Sequence, residues 1–150
     1  MDLELVGKRA LVTGSSSDIG AEIARMLAAE GVAVVVHERD RARTQAVATG
    51  IEAAGGRAAT ALGDLTSDQG ATAVIEVARQ AFDGIDILVN NVGGSASVAH
   101  PTWFDAPLEE WAENYHHNGG HSSERTKSYA KNGDRGGGGI WTLSVKRSEG

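Results

Sequence analysis

Cysteine is absent from the chain. Disulfides, thiolate nucleophiles and cysteine-based zinc sites are therefore excluded. Positive charge is also scarce: 14 Lys and Arg stand against 20 Asp and Glu, a formal net charge of -6. Binding to nucleic acid or to an anionic membrane surface needs a basic patch that releases counterions, so neither partner is expected. Small anions are a separate case, because backbone N–H groups hold them without a cationic side chain. No apolar run approaches the ~18 residues of a membrane span. The opening Met1-Asp2-Leu3-Glu4 also carries acids where a secretory signal needs a basic flank. The expectation is a soluble cytoplasmic protein.

What is present is enough apolar material for one domain, 41% of 150 residues, within the usual range of about 100–150 residues per domain. It is unevenly spread. Up to about Trp111 the chain is rich in Ala, Val, Ile and Leu, whereas Asn114 to Gly139 is Gly, His, Ser, Asn and charge. Between 115 and 139 the only apolar side chains are Tyr115, Tyr129 and Ala130, beside seven glycines. Burial there cannot offset the entropy of ordering, and disorder or a loose loop is expected.

The first part alternates regularly. Lys8 to Thr13 ends as a buried strand, and Ala10-Leu11-Val12 is a continuous apolar run of the kind parallel sheets use. Ile19, Ile23, Met26 and Leu27, filled in by Ala24 and Ala28, predict one face of a helix ending at Gly31. Val32 to Val36 predicts a second strand, completing a βαβ unit. A helix over Arg41 to Ala54 and a strand over Arg57 to Leu62 follow. Next come a helix capped at Ser67-Asp68 with Ala71, Val74, Ile75, Ala78 and Phe82 inward, and a strand over Ile85 to Val89. Such alternation predicts an α/β, doubly wound parallel sheet, whose ligands lie beyond the carboxyl ends of its strands. Thr13-Gly14, His37-Glu38-Arg39, Asp64 and Asn90-Asn91 all fall just past expected strand ends, on one edge. Pro107 to Asn114 can begin a helix, and Ile140 to Val145 one more short strand.

Residues 10 to 20, Ala-Leu-Val-Thr-Gly-Ser-Ser-Ser-Asp-Ile-Gly, have the order of parts that makes a phosphate cradle. The strand delivers the chain, the loop exposes N–H groups, and the helix N-terminus adds the positive end of its dipole. Thr13-Gly14-Ser15-Ser16-Ser17-Asp18-Ile19-Gly20 resembles the Thr-Gly-x-x-x-Gly-Ile-Gly loop of the short-chain dehydrogenase/reductases. Asn90-Asn91-Val92-Gly93 resembles their Asn-Asn-Ala-Gly, and Asp64-Leu65 stands where they have an acid contacting adenine. Two motifs after predicted strands, with the acid between them, form a specific constellation. The resemblance covers roughly residues 5 to 118 and implies a Rossmann-like fold, incomplete at the C-terminal side, and a nicotinamide cofactor.

The residues so implied at the cofactor are Gly14, Ser16, Ser17, Ile19, Gly20, Glu38, Arg39, Asp64, Leu65, Asn91 and Gly93. Each also has a plain reading: turn glycines at Gly14 and Gly20, a turn cap at Asp64, a solvated loop at the serines, and a bridge between strand ends at Asn90. Glu38 suits the ribose hydroxyls of NAD, whereas Arg39, with His37, suits the 2′-phosphate of NADP. Arg41 and Arg43 add positive charge, and the reading leans to NADP. Asp18 departs from the pattern, placing bulk and like charge where the second glycine lets backbone and pyrophosphate approach.

The family's activity, hydride transfer between nicotinamide and a carbonyl or alcohol carbon, uses Tyr-x-x-x-Lys, an upstream serine and a helix asparagine. Tyrosine is the acid/base, lysine lowers its pKa, serine orients the substrate oxygen and asparagine holds a relay water. Neither tyrosine fits: Gly119 lies four residues past Tyr115 and Gly133 four past Tyr129. Asn118 matches the helix asparagine. Ile140 to Val145 looks like the serine-bearing strand, with Val145 at the serine's position and Ser144 one before it. Without the tyrosine and lysine, turnover by this chain is not expected. The alternatives are a non-catalytic dinucleotide-binding module and a degenerate or frame-shifted fragment.

The expected organisation is dinucleotide-binding βαβ units over 1–114, a polar Gly-rich tract over 115–139, and a last strand and tail over 140–150. No metal is expected, since His116 and His117 are adjacent and share no helix face to which His121 could add. The basic tract Arg125, Lys127, Lys131 and Arg135 is diluted by Glu124 and Asp134 and lacks the aromatics that nucleic-acid stacking needs. Relatives often assemble through long helices flanking the catalytic segment. Only the start of one is recognisable, which leaves homo-oligomerisation open beside self-association through an exposed apolar edge.

Overall fold

The computed structural model describes residues 4–93 and the backbone of a strand over 141–144. Asn118, the expected helix from Pro107, the polar tract over 115–139 and its histidines lie outside the described residues.

The chain runs β1 (Arg9–Val12), α1 (Asp18–Ala29), β2 (Ala33–Glu38), α2 (Arg41–Ala53), β3 (Arg57–Leu62), α3 (Asp68–Phe82), β4 (Ile87–Asn90) and β5 (Trp141–Ser144). The strands form one sheet in the order β3-β2-β1-β4-β5, and every pairing is parallel. Strand order reverses between β1 and β4, which makes their carboxyl ends the switch point where ligands of doubly wound sheets bind. The α/β, doubly wound parallel sheet expected from the alternation, and the Rossmann-like fold implied by the resemblance, are what is found.

Continuous apolar strands are explained by helices on both faces. Ala10 and Val12 of β1, Val34 and Val36 of β2 and Val89 of β4 pack with α1 and α2. Leu11, Val35 and Leu88, their opposite-facing neighbours, pack with Ala71, Val74, Ile75 and Ala78 of α3. In α2 the buried positions Thr44, Val47, Ala48 and Ile51 follow helical spacing. Asp40 caps α2 by accepting from the Arg43 N–H at 3.1 Å, and Ser67 caps α3 by accepting from Gly70 at 3.1 Å. In α1 the inward face differs from the one expected. Gly20, Ala21, Ala24 and Ala28 are buried, while Met26 and Ile19 are exposed. Small side chains bring this helix close to the sheet; of the larger ones expected inward, Ile23 and Leu27 pack at the edge of the core, whereas Ile19 and Met26 fall outside it.

Two strand ends also lie further along than expected. β2 includes His37 and Glu38, in register with Ala61 and Leu62, and β4 includes Asn90. At the amino end of the sheet, Arg9 clamps β1 to β4. Its Nε and Nη2 donate to the two Asp86 carboxylate oxygens at 2.9 and 2.8 Å, its backbone N–H donates to the same carboxylate at 2.9 Å, and its Nη1 donates to the Asp83 carbonyl. The guanidinium holds the Asp86 carboxyl below its ordinary range, against the opposing effect of partial burial.

Candidate functional site

At the switch point the chain leaves β1 through Thr13 and turns at Gly14, whose φ of +64° is one L side chains rarely adopt. Thr13 ties this turn to β4. Its hydroxyl donates to the Val89 carbonyl at 3.1 Å and accepts from the Asn91 and Val92 N–H groups at 3.0 and 3.3 Å. The Asn91 side-chain amide donates to the Gly14 carbonyl at 2.9 Å. Gly20 completes the closure from α1: a Cβ there would lie 2.2 Å from the Gly14 oxygen and 2.4 Å from Asn91 Nδ2. Gly14, Gly20 and Asn91 thus meet at one point, and only a glycine fits the helix position.

This packing aims the start of α1 at the space beyond β1. The first α-helical bond runs from the Ala21 N–H to the Ser17 carbonyl at 3.1 Å, so the N–H groups of Asp18, Ile19 and Gly20 precede it. They are the donors that the N-terminus of a helix offers an anion. The Ser17 side chain makes no cap bond; its hydroxyl donates to the Asp18 carboxylate at 3.0 Å. Asp18 has a φ of +49°, the left-handed region that glycine enters without cost and aspartate at some cost. Its carboxylate is an exposed negative charge at the mouth of the cradle.

The remaining candidates divide between this edge and the core. In the loop Ser16 is half-buried and Ser17 exposed, and Ile19 is exposed in the first turn of α1. Glu38 and Arg39 are joined to each other: the carboxylate accepts from the Arg39 N–H at 2.9 Å and lies 3.6 Å from its Nε. Asp64 is exposed and shapes its own turn by accepting from the Thr66 N–H at 2.9 Å. Leu65 turns into the core under α3, which leaves its backbone rather than its side chain for any ligand. Gly93 is exposed at the end of the described segment. Ser144 ends β5 in register with Asn90, on the same edge of the sheet. Among the described residues no group of three His, Cys, Asp or Glu could hold a metal ion, and no helix is long and apolar enough to cross a membrane.

Two residues in this region lie inside its frame, one of them, His37, against expectation. Ser15 is buried, its hydroxyl donating to the Val12 carbonyl at 2.6 Å and accepting from the His37 N–H at 3.0 Å. It is part of the frame of the loop. His37 is not at the surface beside Arg39: its ring is buried, with Nδ1 accepting from the Gly14 N–H at 3.3 Å and Nε2 3.1 Å from the Gly63 carbonyl. A strand buried on both faces gives no alternation from which this inward turn could be read.

Comparison with known proteins agrees with this arrangement. The sequence profile of the short chain dehydrogenase family matches residues 8–144. The 7α-hydroxysteroid dehydrogenase of Escherichia coli K12 is 36% identical over 114 residues, covering 76% of this chain and 43% of that protein. The 3β-hydroxysteroid dehydrogenase 1 of Eggerthella lenta is 39% identical over 109 residues, covering 72% of this chain and 41% of that protein. A solved 7α-hydroxysteroid dehydrogenase, complexed with NADH and 7-oxo glycochenodeoxycholic acid, superimposes with a TM-score of 0.77 at 34% identity, over 92% of this chain and 53% of that one. A short chain dehydrogenase of Burkholderia cenocepacia in complex with NADP gives 0.75 at 35% identity, over 92% and 55%. The chain spans less than half the length of these curated relatives, 41% and 43%. With the profile matched from the first strand to the last and the parallel sheet reproduced, the chain belongs to the short-chain dehydrogenase family of oxidoreductases.

Proposed function

We propose that residues 1–114 form a nicotinamide-dinucleotide-binding unit, with the pyrophosphate lying over Gly14 and the first turn of α1. One observation carries the reading: Gly20 has no room for a Cβ, because the Gly14 carbonyl and the Asn91 amide close on it at 2.2 and 2.4 Å, and this closure aims the helix N-terminus at an anion. Solved relatives at 34% and 35% identity hold NADH and NADP respectively, which supports the same class of cofactor here. Ser16, Ser17 and the backbone of Ile19 would face the phosphates, the turn at Asp64 and Leu65 the adenine, and the segment from Asn91 to Gly93 the nicotinamide side. When bound, the cofactor supplies a hydride donor or acceptor toward a carbonyl or alcohol carbon.

Arg39, with 72% of its side chain exposed, is placed to turn toward a 2′-phosphate, and its ion pair with Glu38 is long at 3.6 Å. NADP is the favoured cofactor on this ground. Comparable dissociation constants for NADPH and NADH, or tighter NADH binding, would refute that preference.

The family's Tyr-x-x-x-Lys does not occur in these 150 residues, so this chain is proposed to bind the cofactor without turning it over. Titration of the purified chain with NADPH, read by cofactor fluorescence and accompanied by circular dichroism, tests binding. Absence of binding by a folded chain refutes the reading. NADPH consumption with a panel of small carbonyl compounds separates an oxidoreductase from a non-catalytic module. Translating the neighbouring frames of the coding DNA tests a frame shift: no Tyr-x-x-x-Lys in any of them rejects that origin.

A further inference from the structure

The ring of His37 joins two loops that approach the sheet edge from different strands. The Gly14 N–H can only donate, so Nδ1, 3.3 Å away, must carry a lone pair. The Gly63 carbonyl can only accept, so Nε2, 3.1 Å away, must carry the proton. Both partners are satisfied only by the neutral imidazole with its hydrogen on Nε2. The backbone adds a second tie, with the His37 carbonyl accepting from the Ser15 N–H at 2.9 Å and the His37 N–H donating to Ser15 Oγ at 3.0 Å. With 1% of the residue exposed, the ring has little solvent contact to make up for a lost partner.

Resting on the dinucleotide reading given above, we infer that neutral His37 is a positioning residue for the cofactor, holding the phosphate loop at Gly14 and the adenine-side turn at Gly63 in fixed relation. A second proton would put an Nδ1–H against the Gly14 N–H, donor against donor. Gly14 is held on its other side by Asn91, so the displacement falls on the loop that must meet the pyrophosphate. Charging the ring therefore lowers cofactor affinity although the ring touches no part of the cofactor. The charged groups on the elements around it are Glu38 on its own strand and Arg39 just after it, Arg9 on β1, Arg57 on β3, Asp64 in the turn that follows β3, Asp18, Glu22 and Arg25 on α1, Arg41, Arg43 and Glu52 on α2, and Asp68, Glu76 and Arg79 on α3.

The test is NADPH titration of the full 150-residue chain between pH 8 and pH 5.5, with ¹⁵N NMR of the His37 ring and of the Gly14 and Gly63 amides without cofactor. The expected spectrum is that of the Nε2–H tautomer, with both glycine amides shifting as the ring protonates. Affinity should then fall about tenfold over the same pH step. His37→Asn offers Oδ1 to the Gly14 N–H and does not titrate, so it should bind within about threefold of the parent at pH 8 and lose the His37-linked step. His37→Leu keeps neither bond and should bind about tenfold more weakly at pH 8. An Nδ1–H tautomer, or affinity that stays flat while the ring titrates, overturns the inference. If no variant binds NADPH at any pH, the dinucleotide reading fails and the NMR arm decides alone: glycine amides that ignore the titration reject the positioning role, and amides that follow it retain it.

Discussion

A methyl group added at Gly20 would meet the Gly14 carbonyl oxygen at 2.2 Å, and a backbone oxygen, unlike the tip of a side chain, has little room to give. Gly20→Ala should therefore cost at least the roughly 1–3 kcal/mol typical of overpacking, read as a lower midpoint in urea, and abolish measurable cofactor binding. Asp18 is the opposite case, a residue whose removal helps. Its φ of +49° strains any L side chain, and its charge faces the anion proposed for the cradle. Asp18→Gly should raise stability by about 0.5–1 kcal/mol and tighten NADPH binding. Unchanged or weaker affinity would count against repulsion by the carboxylate. His37 and Ser15 carry a related lesson, since polar side chains next to a glycine-rich loop can serve as its frame instead of its contacts.

At the scale of elements, the helices stand on caps and buried stripes and the strands on their end clamps. Ser67→Ala removes the acceptor of the Gly70 N–H and should destabilise the protein by about 1 kcal/mol, measurable by thermal melts. Val74, fully buried on α3, should cost roughly 1–3 kcal/mol on truncation to Ala, because no neighbour can fill the space. The Arg9–Asp86 clamp predicts a dependence on pH. The folded Asp86 carboxyl has its pKa lowered from 3.8, so its contribution is complete above the unfolded value and is lost as pH falls through the lower folded one. The stability difference between the parent and Asp86→Asn should accordingly be constant near neutrality and narrow below 3.8. These elements were legible in sequence because a short continuous β-branched run, Val34-Val35-Val36, differs plainly from the 3.6-residue spacing of Ala71, Val74, Ile75 and Ala78. The inward face of α1 was legible only in part: Ala24, Ala28, Ile23 and Leu27 face the core as expected, but Ile19 and Met26 do not, because the buried Gly20 and Ala21 set how close the helix lies to the sheet. Glu38 and Arg39 could be named from their place after a valine run, but that they pair with each other depends on side-chain rotamers no pattern records.

For the molecule as a whole, the sheet separates its tasks. The ionic clamp sits at the amino ends of β1 and β4 and the candidate cradle at their carboxyl ends, so charge changes at one end should leave the other undisturbed. Arg9→Leu is expected to lower the melting temperature without altering the affinity of the remaining folded protein for NADPH, which a titration well below the melt would establish. The glycine-rich turn also has a place in time as well as in space. Although it lies near the start of the chain, it is closed by Asn91, 77 residues later, through the bond to the Gly14 carbonyl. At roughly 5–20 residues per second of synthesis, those residues take about 4–15 s to make. During that interval the nascent chain has its phosphate loop tied only on the β2 side, through His37, and the cofactor has no finished cradle to enter until β4 has been translated and docked.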